Sequence, residues 1–291
     1  MAVASSVSYS AGALASVGHS ARVERLYALL RDRMTRPQKT WGRHLTVLDE
    51  PGAAAQPIVL RHARALEKLL REIPIVIEAD DLVVGNVLRD GVVLRTGLPG
   101  FATAEEHEEA RRLGAPINDH LSHKTPYYYE LMDKGLGGIL AEIEGKIAAI
   151  EARADDPERD EKLAFFQACR IECRAVIAFA HRYAELAGRL AEAAPEPRRG
   201  ELRRIAAICA RVPENPPASF AEAVQSFWFL NHAFHVSGTK ISCGRLDQYL
   251  APSLRRDLES GAITLEEAQE LVDCLWLRFN DRSQIVRENF Y

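Results

Sequence analysis

Apolar residues recur at helical spacing along most of the chain. After Ser20, for example, Val23, Leu26 and Leu30 fall on one face of the segment ARVERLYALLRDRM, a period typical of an amphipathic helix with Ser20 as its cap. Residues 57–73 repeat the pattern after a proline. The same period predicts further helices over about 103–112, 126–154, 157–194, 195–212, 219–234 and 264–280.

Two short segments interrupt this helical period. Residues 75–77 and 82–87 are rich in Ile and Val and lie on either side of an acidic turn, so the sequence predicts short extended segments there. The stretch 88–126 carries many Gly and Pro residues and is predicted to be irregular apart from one short helix, as functional or mobile loops often are. The pattern as a whole predicts an α/β fold dominated by helix.

Sequence signals for the start of a helix occur twice late in the chain. Ser219 precedes Glu222 and Thr264 precedes Glu267, which is the spacing of a capping box. The helix after Ser219 contains SFWFLNHAFHV, residues 226–236. Because this stretch is apolar nearly all round, we expect it to be buried on several sides.

Composition and charge exclude some classes of function. Hydrophobic residues make up 47% of the 291 residues, enough for a sizeable core. The chain has 41 acidic and 37 basic residues and a net charge of −4, which argues against a nucleic-acid-binding protein. No stretch reaches the roughly 18 to 20 apolar residues that are needed to cross a bilayer, so we expect no membrane partner.

The first residues predict a tail and not a targeting signal. Residues 1–19 mix Ser, Ala and Gly with no basic cluster before an apolar run, which matches a signal peptide poorly, and we expect this tail to be disordered.

The five cysteines form no Cys-x-x-Cys pair. A cytoplasmic location with free thiols is therefore the expected setting.

Histidine pairs are the first candidates for metal chemistry. His120 with His123, and His232 with His235, lie three residues apart, so on a helix each pair could offer two imidazoles to one metal. Neither pair has the glutamate of a zincin motif or a nearby cysteine. We therefore predict no metal site, and we interpret these histidines as satisfied or solvent-exposed side chains.

Cys169 and Cys173 stand one helical turn apart in an apolar segment. Two such thiols could take part in redox chemistry, but a buried free cysteine more often acts as a small hydrophobic side chain. The sequence favours the second interpretation. No phosphate-binding loop is present, since GLGGI lies inside a helical pattern.

Two polar segments are better candidates for a site. The segment 119–139, DHLSHKTPYYYELMDKGLGGI, places polar groups at the start of a helix, which suits an anionic or hydroxyl-bearing ligand but equally fits a capped helix whose tyrosines pack on the core. In the segment ISCGRLDQYL, Gly244 permits a tight turn, and Arg245 and Asp247 are close enough to pair with each other or with backbone groups. Residue chemistry alone identifies only a polar turn there.

Taken together, four motifs resemble the N-terminal part of the glycyl radical enzymes, the pyruvate formate-lyase-like superfamily. The resemblance spans about residues 20–291 and is strongest to the branch of dehydratases, lyases and decarboxylases. The motifs occur in the expected order at 70–86, 123–139, 203–229 and 241–281.

This resemblance implies a fold, a chemistry and partners. The family fold is a ten-stranded α/β barrel made of two half-barrels, and this chain would form the N-terminal half. An activating enzyme with an iron–sulfur cluster and S-adenosylmethionine makes a glycyl radical, which in turn makes a thiyl radical on a cysteine that attacks a small organic substrate. The resemblance implies cleavage of a C–C, C–O, C–N or C–S bond, and no cofactor bound directly by the chain.

The sequence departs from the family pattern in one respect. The catalytic cysteine loop and the glycyl radical loop lie beyond the motif at 241–281, and neither occurs in these residues. We therefore expect no catalytic residue within this chain, and Cys243 is not assigned as the thiyl cysteine. The expected partner is a C-terminal complementing chain or another copy of the protein. The alternative is a truncated, non-catalytic binding or complementing subunit.

The resemblance also assigns site residues. His123 matches a histidine that contacts substrate hydroxyls in several dehydratases of the family, and Ser242 matches a serine beside the substrate. Arg245 and Asp247 belong to the same motif and are expected to hold its shape. Tyr127 stands where the family often has aspartate, which implies a less polar substrate than a small polyol.

Overall fold

The structure is a computed structural model that describes residues 18–115, 124–153, 155–239 and 241–281. Almost all of the predicted N-terminal tail, together with His120 and His123, lies outside these described residues. Within them the chain is mostly helical. The helices are α1 (Ala21–Met34), α2 (Ile58–Glu72), α3 (Ala104–Arg112), α4 (Tyr128–Glu151), α5 (Arg159–Ala193), α6 (Arg198–Arg211), α7 (Phe220–Val236), α8 (Leu246–Ser260) and α9 (Leu265–Asn280).

Helix starts follow the predicted caps. The Ser20 hydroxyl accepts from the Val23 amide at the start of α1, and Thr264 and Glu267 form a complete capping box on α9. The box at Ser219 is only half formed. Ser219 caps α7, but the Glu222 carboxylate accepts from the Ala218 amide over 2.6 Å. No helix in the described ranges is long and apolar enough to span a membrane.

The described residues contain a three-stranded sheet with the order β1-β3-β2. Its strands are β1 (Lys39–Trp41), β2 (Leu88–Arg89) and β3 (Val92–Thr96). β1 runs parallel to β3, whereas β2 and β3 form an antiparallel hairpin. The hairpin turns at Asp90 and Gly91, which both have positive φ values, of 54° and 72°, as a tight two-residue hairpin requires.

The strands therefore lie beside the predicted positions and not on them. Residues 82–87 form no strand, and the pairing in this part of the chain is an isolated bridge between Val76 and Asn86. Instead, side chains of three helices bind four successive carbonyl oxygens of a buried segment. These oxygens accept from Arg278 Nε (Val83, 2.9 Å), Gln225 Nε2 (Val84, 2.7 Å), Trp228 Nε1 (Gly85, 3.3 Å) and the Tyr183 hydroxyl (Asn86, 2.6 Å).

Helix α7 forms the centre of the core. It packs against α4, α5, α6, α8 and α9, and Phe227 and Phe229 are fully buried. The prediction that residues 226–236 are buried on several sides is confirmed. The long helix α5 packs along α2, α4 and α6, so the described part of the chain covers its own central helix.

Helix α4 is interrupted at Gly135, the first glycine of the segment GLGGI. Gly135 has φ 64° and ψ 174°, and a Cβ atom there would collide with the carbonyl oxygen of Glu214. The break frees two backbone amides, which donate over 2.8 Å to the loop before α7: Leu136 to Pro213, and Gly137 to Glu214. The first turns of α4 are thereby anchored at a fixed angle to the rest of the helix.

The acidic turn EADD, between α2 and β2, is held by arginines of three helices, and those of α1 bind Glu78 and Asp80. Asp81 is fully buried and pairs with Arg278 of α9, which also pairs with Asp281. The second oxygen of Asp81 accepts from the Glu78 amide over 2.9 Å. Arg198 of α6 donates to the carbonyl oxygens of Glu78 and Asp81 over 2.9 Å. Buried charges of this kind require such partners.

Candidate functional site

The two polar segments singled out in the sequence meet in the structure. Lys124 and Ile241 form a parallel bridge, and the Ser242 amide donates to the Lys124 carbonyl oxygen over 2.8 Å. His123 lies outside the described residues, but its chain neighbour is bonded to Ser242. We call the segments 124–129 and 241–249 the joined segments.

Gly244 makes the turn of the second segment possible. Its φ of 60° is left-handed, a conformation that side chains other than glycine adopt at a cost. A Cβ atom at this position would also lie 2.8 Å from Cγ2 of Thr125. The Ser242 hydroxyl accepts from the Gly244 amide over 3.2 Å and so closes the turn. Glycine is needed here both for the backbone angle and for close contact between the segments.

Arg245 and Asp247 pair with each other at the start of α8, which is one of the two arrangements that their spacing allows. The guanidinium donates to both carboxylate oxygens, over 3.0 and 2.8 Å. The bonds from Arg245 hold the pKa of Asp247 below its usual value, and Asp247 in turn raises the pKa of Arg245. Both side chains are 66% exposed, so this pair shapes the turn without being buried.

Tyrosines of the first segment lie beneath the turn. Tyr128 is only 1% exposed, and its ring lies 5.4 Å from that of Tyr249. The Tyr249 hydroxyl donates to the Cys243 carbonyl oxygen over 2.6 Å, which fixes the turn from below. Burial raises the pKa of both Tyr128 and Tyr249, so both hydroxyls stay protonated.

Other side chains complete the support. Asn231 of α7 is fully buried and donates through Nδ2 to the Tyr128 hydroxyl over 3.3 Å. Tyr129 donates to Oε1 of Gln248 over 2.9 Å, a second bond between the joined segments. Tyr127, by contrast, is 71% exposed. The tyrosines thus divide between packing on the core and facing outward.

Sequence reasoning missed Asn231, Gln248 and Tyr249 as parts of this site. Asn231 was the one with a usable signal, because it is a polar residue within an otherwise apolar helical stretch. Such a buried amide needs hydrogen-bond partners. Gln248 and Tyr249 carry no comparable signal, since their roles depend on packing against a distant segment.

The second histidine pair lies in a different environment. His232 is buried in α7, where its ring stacks on Phe179 at 5.8 Å and contacts Trp228 at 5.6 Å. Across the described ranges, no group of three or more His, Cys, Asp or Glu residues is placed to hold a metal ion. His232 thus belongs to an aromatic part of the core.

Cys169 and Cys173 lie on α5 and are both partly buried. Burial raises the pKa of Cys173 to about 12, and burial also raises the pKa of Cys169. Because the thiolate is the reactive form of cysteine, these thiols are poorly suited to redox chemistry at neutral pH. Cys173 packs against the main core, which favours a packing role.

Comparisons with known proteins place the joined segments in a wider context. The isethionate sulfite-lyase of Oleidesulfovibrio alaskensis is 41% identical to this chain over 154 residues, which are 52% of this chain and 18% of the enzyme. The indoleacetate decarboxylase of Tractidigestivibacter scatoligenes is 35% identical over 160 residues, which are 54% of this chain and 18% of the enzyme.

Solved structures extend the similarity to most of the chain. The glycerol-bound B12-independent glycerol dehydratase from Clostridium butyricum superposes with a TM-score of 0.77 and 25% identity. The match covers 93% of this chain and 41% of that one, so this chain spans less than half the length of the proteins it resembles. The profile of the family described as pyruvate formate lyase-like matches residues 101–291. The chain belongs to this pyruvate formate lyase-like family of glycyl radical enzymes.

Proposed function

We propose that this chain is the N-terminal portion of a glycyl radical enzyme that cleaves a C–C, C–O, C–N or C–S bond of a small organic substrate. Membership of the family supports the radical chemistry, and the relatives include lyases, dehydratases and a decarboxylase. On this proposal, the described three-stranded sheet is part of a ten-stranded barrel. The rest of that barrel belongs to residues beyond this sequence or to another polypeptide.

One observation carries the proposal for this chain itself. The hydrogen bond between Ser242 and Lys124 joins two motifs that lie more than a hundred positions apart in the sequence. Both motifs fall within the matched family region. A contact between two distant polar segments is a common way to build a substrate site.

The proposed roles follow from the joined segments. His123 and Ser242 bind the substrate, and Arg245 and Asp247 hold the turn in shape. The exposure of Ser242, Arg245 and Asp247 supports an incomplete site that another part of the barrel covers. A carboxylate at position 127 would suit a polyol. The exposed Tyr127 offers an aromatic surface there instead, so we propose a substrate less polar than glycerol.

The proposed partners follow from the chemistry. An activating enzyme with an iron–sulfur cluster and S-adenosylmethionine would install the radical, so this chain needs no cofactor of its own. A complementing polypeptide, or further residues of the same protein, would supply the catalytic cysteine and glycine. All five cysteines are free thiols, which supports a reducing compartment.

Complementation tests the proposal. The chain is coexpressed with the coding sequence that follows it, treated anaerobically with an activating enzyme and S-adenosylmethionine, and examined by electron paramagnetic resonance. We expect a glycyl doublet from the complemented protein and none from the 291-residue chain alone. If the complemented protein carries no doublet, the chain is a non-catalytic subunit, and the proposal is wrong.

A further inference from the structure

A continuous series of aromatic rings leads from the joined segments to another exposed part of the protein. Each ring lies within the range of 4.5 to 7 Å at which aromatic side chains interact favourably. The series, which we call the aromatic chain, links Tyr129 to Tyr249 (5.8 Å), Tyr249 to Phe227 (5.8 Å), Phe227 to Phe279 (6.0 Å) and Phe279 to Trp276 (5.3 Å).

Two further rings lie beside this chain. Tyr128 contacts Tyr249 at 5.4 Å and Phe227 at 4.8 Å, which gives a second route at the site end. Trp228 contacts Phe279 at 5.4 Å, close to the other end. The rings come from helices α4, α7, α8 and α9, so the chain crosses the core and does not follow one element.

The two ends differ in their surroundings. At the site end, Tyr249 is bonded to the backbone of Cys243, within the turn that contains Ser242. At the far end, Trp276 is 48% exposed in the described part of the chain, and its ring contacts Phe279, which packs against the main core.

The chemistry of the rings sets the direction in which an oxidising equivalent moves along the aromatic chain. Tyrosine and tryptophan are oxidised far more readily than phenylalanine, so Phe227 and Phe279 can only bridge the rings that react. The Tyr249 hydroxyl donates to a carbonyl oxygen, which is a weak base, so an oxidised Tyr249 has no good acceptor for its proton. Trp276 can lose an electron first and then release its indole proton to water. An oxidising equivalent that enters at Tyr249 therefore comes to rest on Trp276.

We propose that the aromatic chain carries oxidising equivalents from the site to Trp276 and so protects the site from stray radicals. This proposal rests on the proposed function, because that chemistry places radicals at the joined segments. A misdirected thiyl radical accepts one electron through the chain and one proton from solvent, and becomes an S–H group. Trp276 loses one electron and one proton and becomes a neutral radical. A soluble thiol then donates a hydrogen atom, which restores the Trp276 indole and leaves a thiyl radical in solution.

Photochemistry tests the proposal without any enzyme activity. A ruthenium polypyridyl photo-oxidant is attached to Cys243 in a C169A/C173A background, and a flash followed by an electron acceptor generates the oxidant at the site. Transient absorption then detects tryptophan radicals. In the parent protein we expect a tryptophan radical that soluble thiol quenches. W276F should abolish this radical. F279L, which removes the bridging ring but keeps an apolar side chain, should slow its formation.

Matched variants keep the test decisive. The third tryptophan, Trp41, lies in β1 away from the aromatic chain, so W41F should leave the signal unchanged. If the label at Cys243 unfolds the protein, the oxidant is attached at the exposed neighbouring position through S242C in a C243S background. No tryptophan radical in the parent, or an unchanged thiol-quenched radical in W276F, would overturn the proposal. Because light supplies the oxidant, neither result depends on whether the complemented protein holds a glycyl radical.

Discussion

The amide of Ser242 donates a hydrogen bond to the carbonyl oxygen of Lys124 over 2.8 Å. This bond fixes the start of the first joined segment to the turn of the second. The turn is then supported from below by Tyr249, whose hydroxyl binds the carbonyl oxygen of Cys243. The candidate site is therefore held by backbone and tyrosine contacts, while its charged side chains remain exposed.

Replacing Gly244 with alanine should destabilise this junction. Gly261 is a matched control, because its φ of 72° is also left-handed but a Cβ atom there meets nothing within 4 Å. We expect G261A to lower the free energy of unfolding by about 1 to 2 kcal/mol, the cost of the backbone conformation alone. G244A should cost more, because its methyl group also meets Thr125. Equal losses in urea unfolding would show that the two segments are not in close contact.

The Arg278–Asp81 pair should contribute far more to the stability of the fold than the Arg245–Asp247 pair. R278M leaves Asp81 buried without its charge partner, and we expect the free energy of unfolding to fall by about 3 to 5 kcal/mol. R245M removes the same type of pair at the surface, where ion pairs contribute little, and should leave the denaturation midpoint nearly unchanged. A similar loss in both variants would contradict the burial of the acidic turn.

The sequence predicted the helices well because their signals are local. Ser20 and Thr264 cap helices as the sequence indicated, and Arg245 and Asp247 pair because they are two residues apart. The sequence predicts a short extended segment at 82–87, but these residues form no regular strand in the structure. Its carbonyl oxygens are bound by Gln225, Trp228 and other side chains of distant helices, which no local pattern shows.

The hairpin at Asp90 and Gly91 was missed although it had a signal. An Asp-Gly pair followed by Val92 and Val93 is typical of a tight hairpin, but the surrounding glycines and prolines suggested irregular structure. Asn231 and Tyr249 could not be placed, because their contacts join parts of the chain that only tertiary packing brings together. The roles of His123 and Ser242 in substrate binding remain predictions.

His19 should titrate at a higher pH than a free histidine. Its Nδ1 lies 3.0 Å from Oδ2 of Asp273 on α9, and this hydrogen bond, together with the charge of Asp273, raises the pKa of His19 above its usual 6.5. The contact therefore contributes stability below about pH 6.5 and loses it as the pH rises through the raised pKa. NMR titration should show that D273N lowers the pKa of His19. The control variant D49N, which removes a carboxylate outside this contact, should leave the pKa of His19 unchanged.

The isolated chain should associate with itself or bind a complementing polypeptide. Strands β1 and β2 lie at the two edges of the described sheet, and an unpaired edge is a template for another strand. We expect size-exclusion chromatography with light scattering to show species larger than a monomer. T40K places a charge on the exposed edge strand β1 and should reduce association. A clean monomer that unfolds cooperatively and binds no hydrophobic dye would contradict the half-barrel proposal.

We propose that the joined segments form part of a substrate site. The most direct test is to measure kcat and KM of the complemented, activated enzyme carrying S242A, with S260A at the end of α8 as the matched control. We expect S242A to raise KM about threefold to tenfold, the usual effect of losing one neutral hydrogen bond, while its glycyl radical content and the kinetics of S260A stay unchanged. Unchanged kcat and KM in S242A, at normal radical content, would show that the substrate is bound elsewhere.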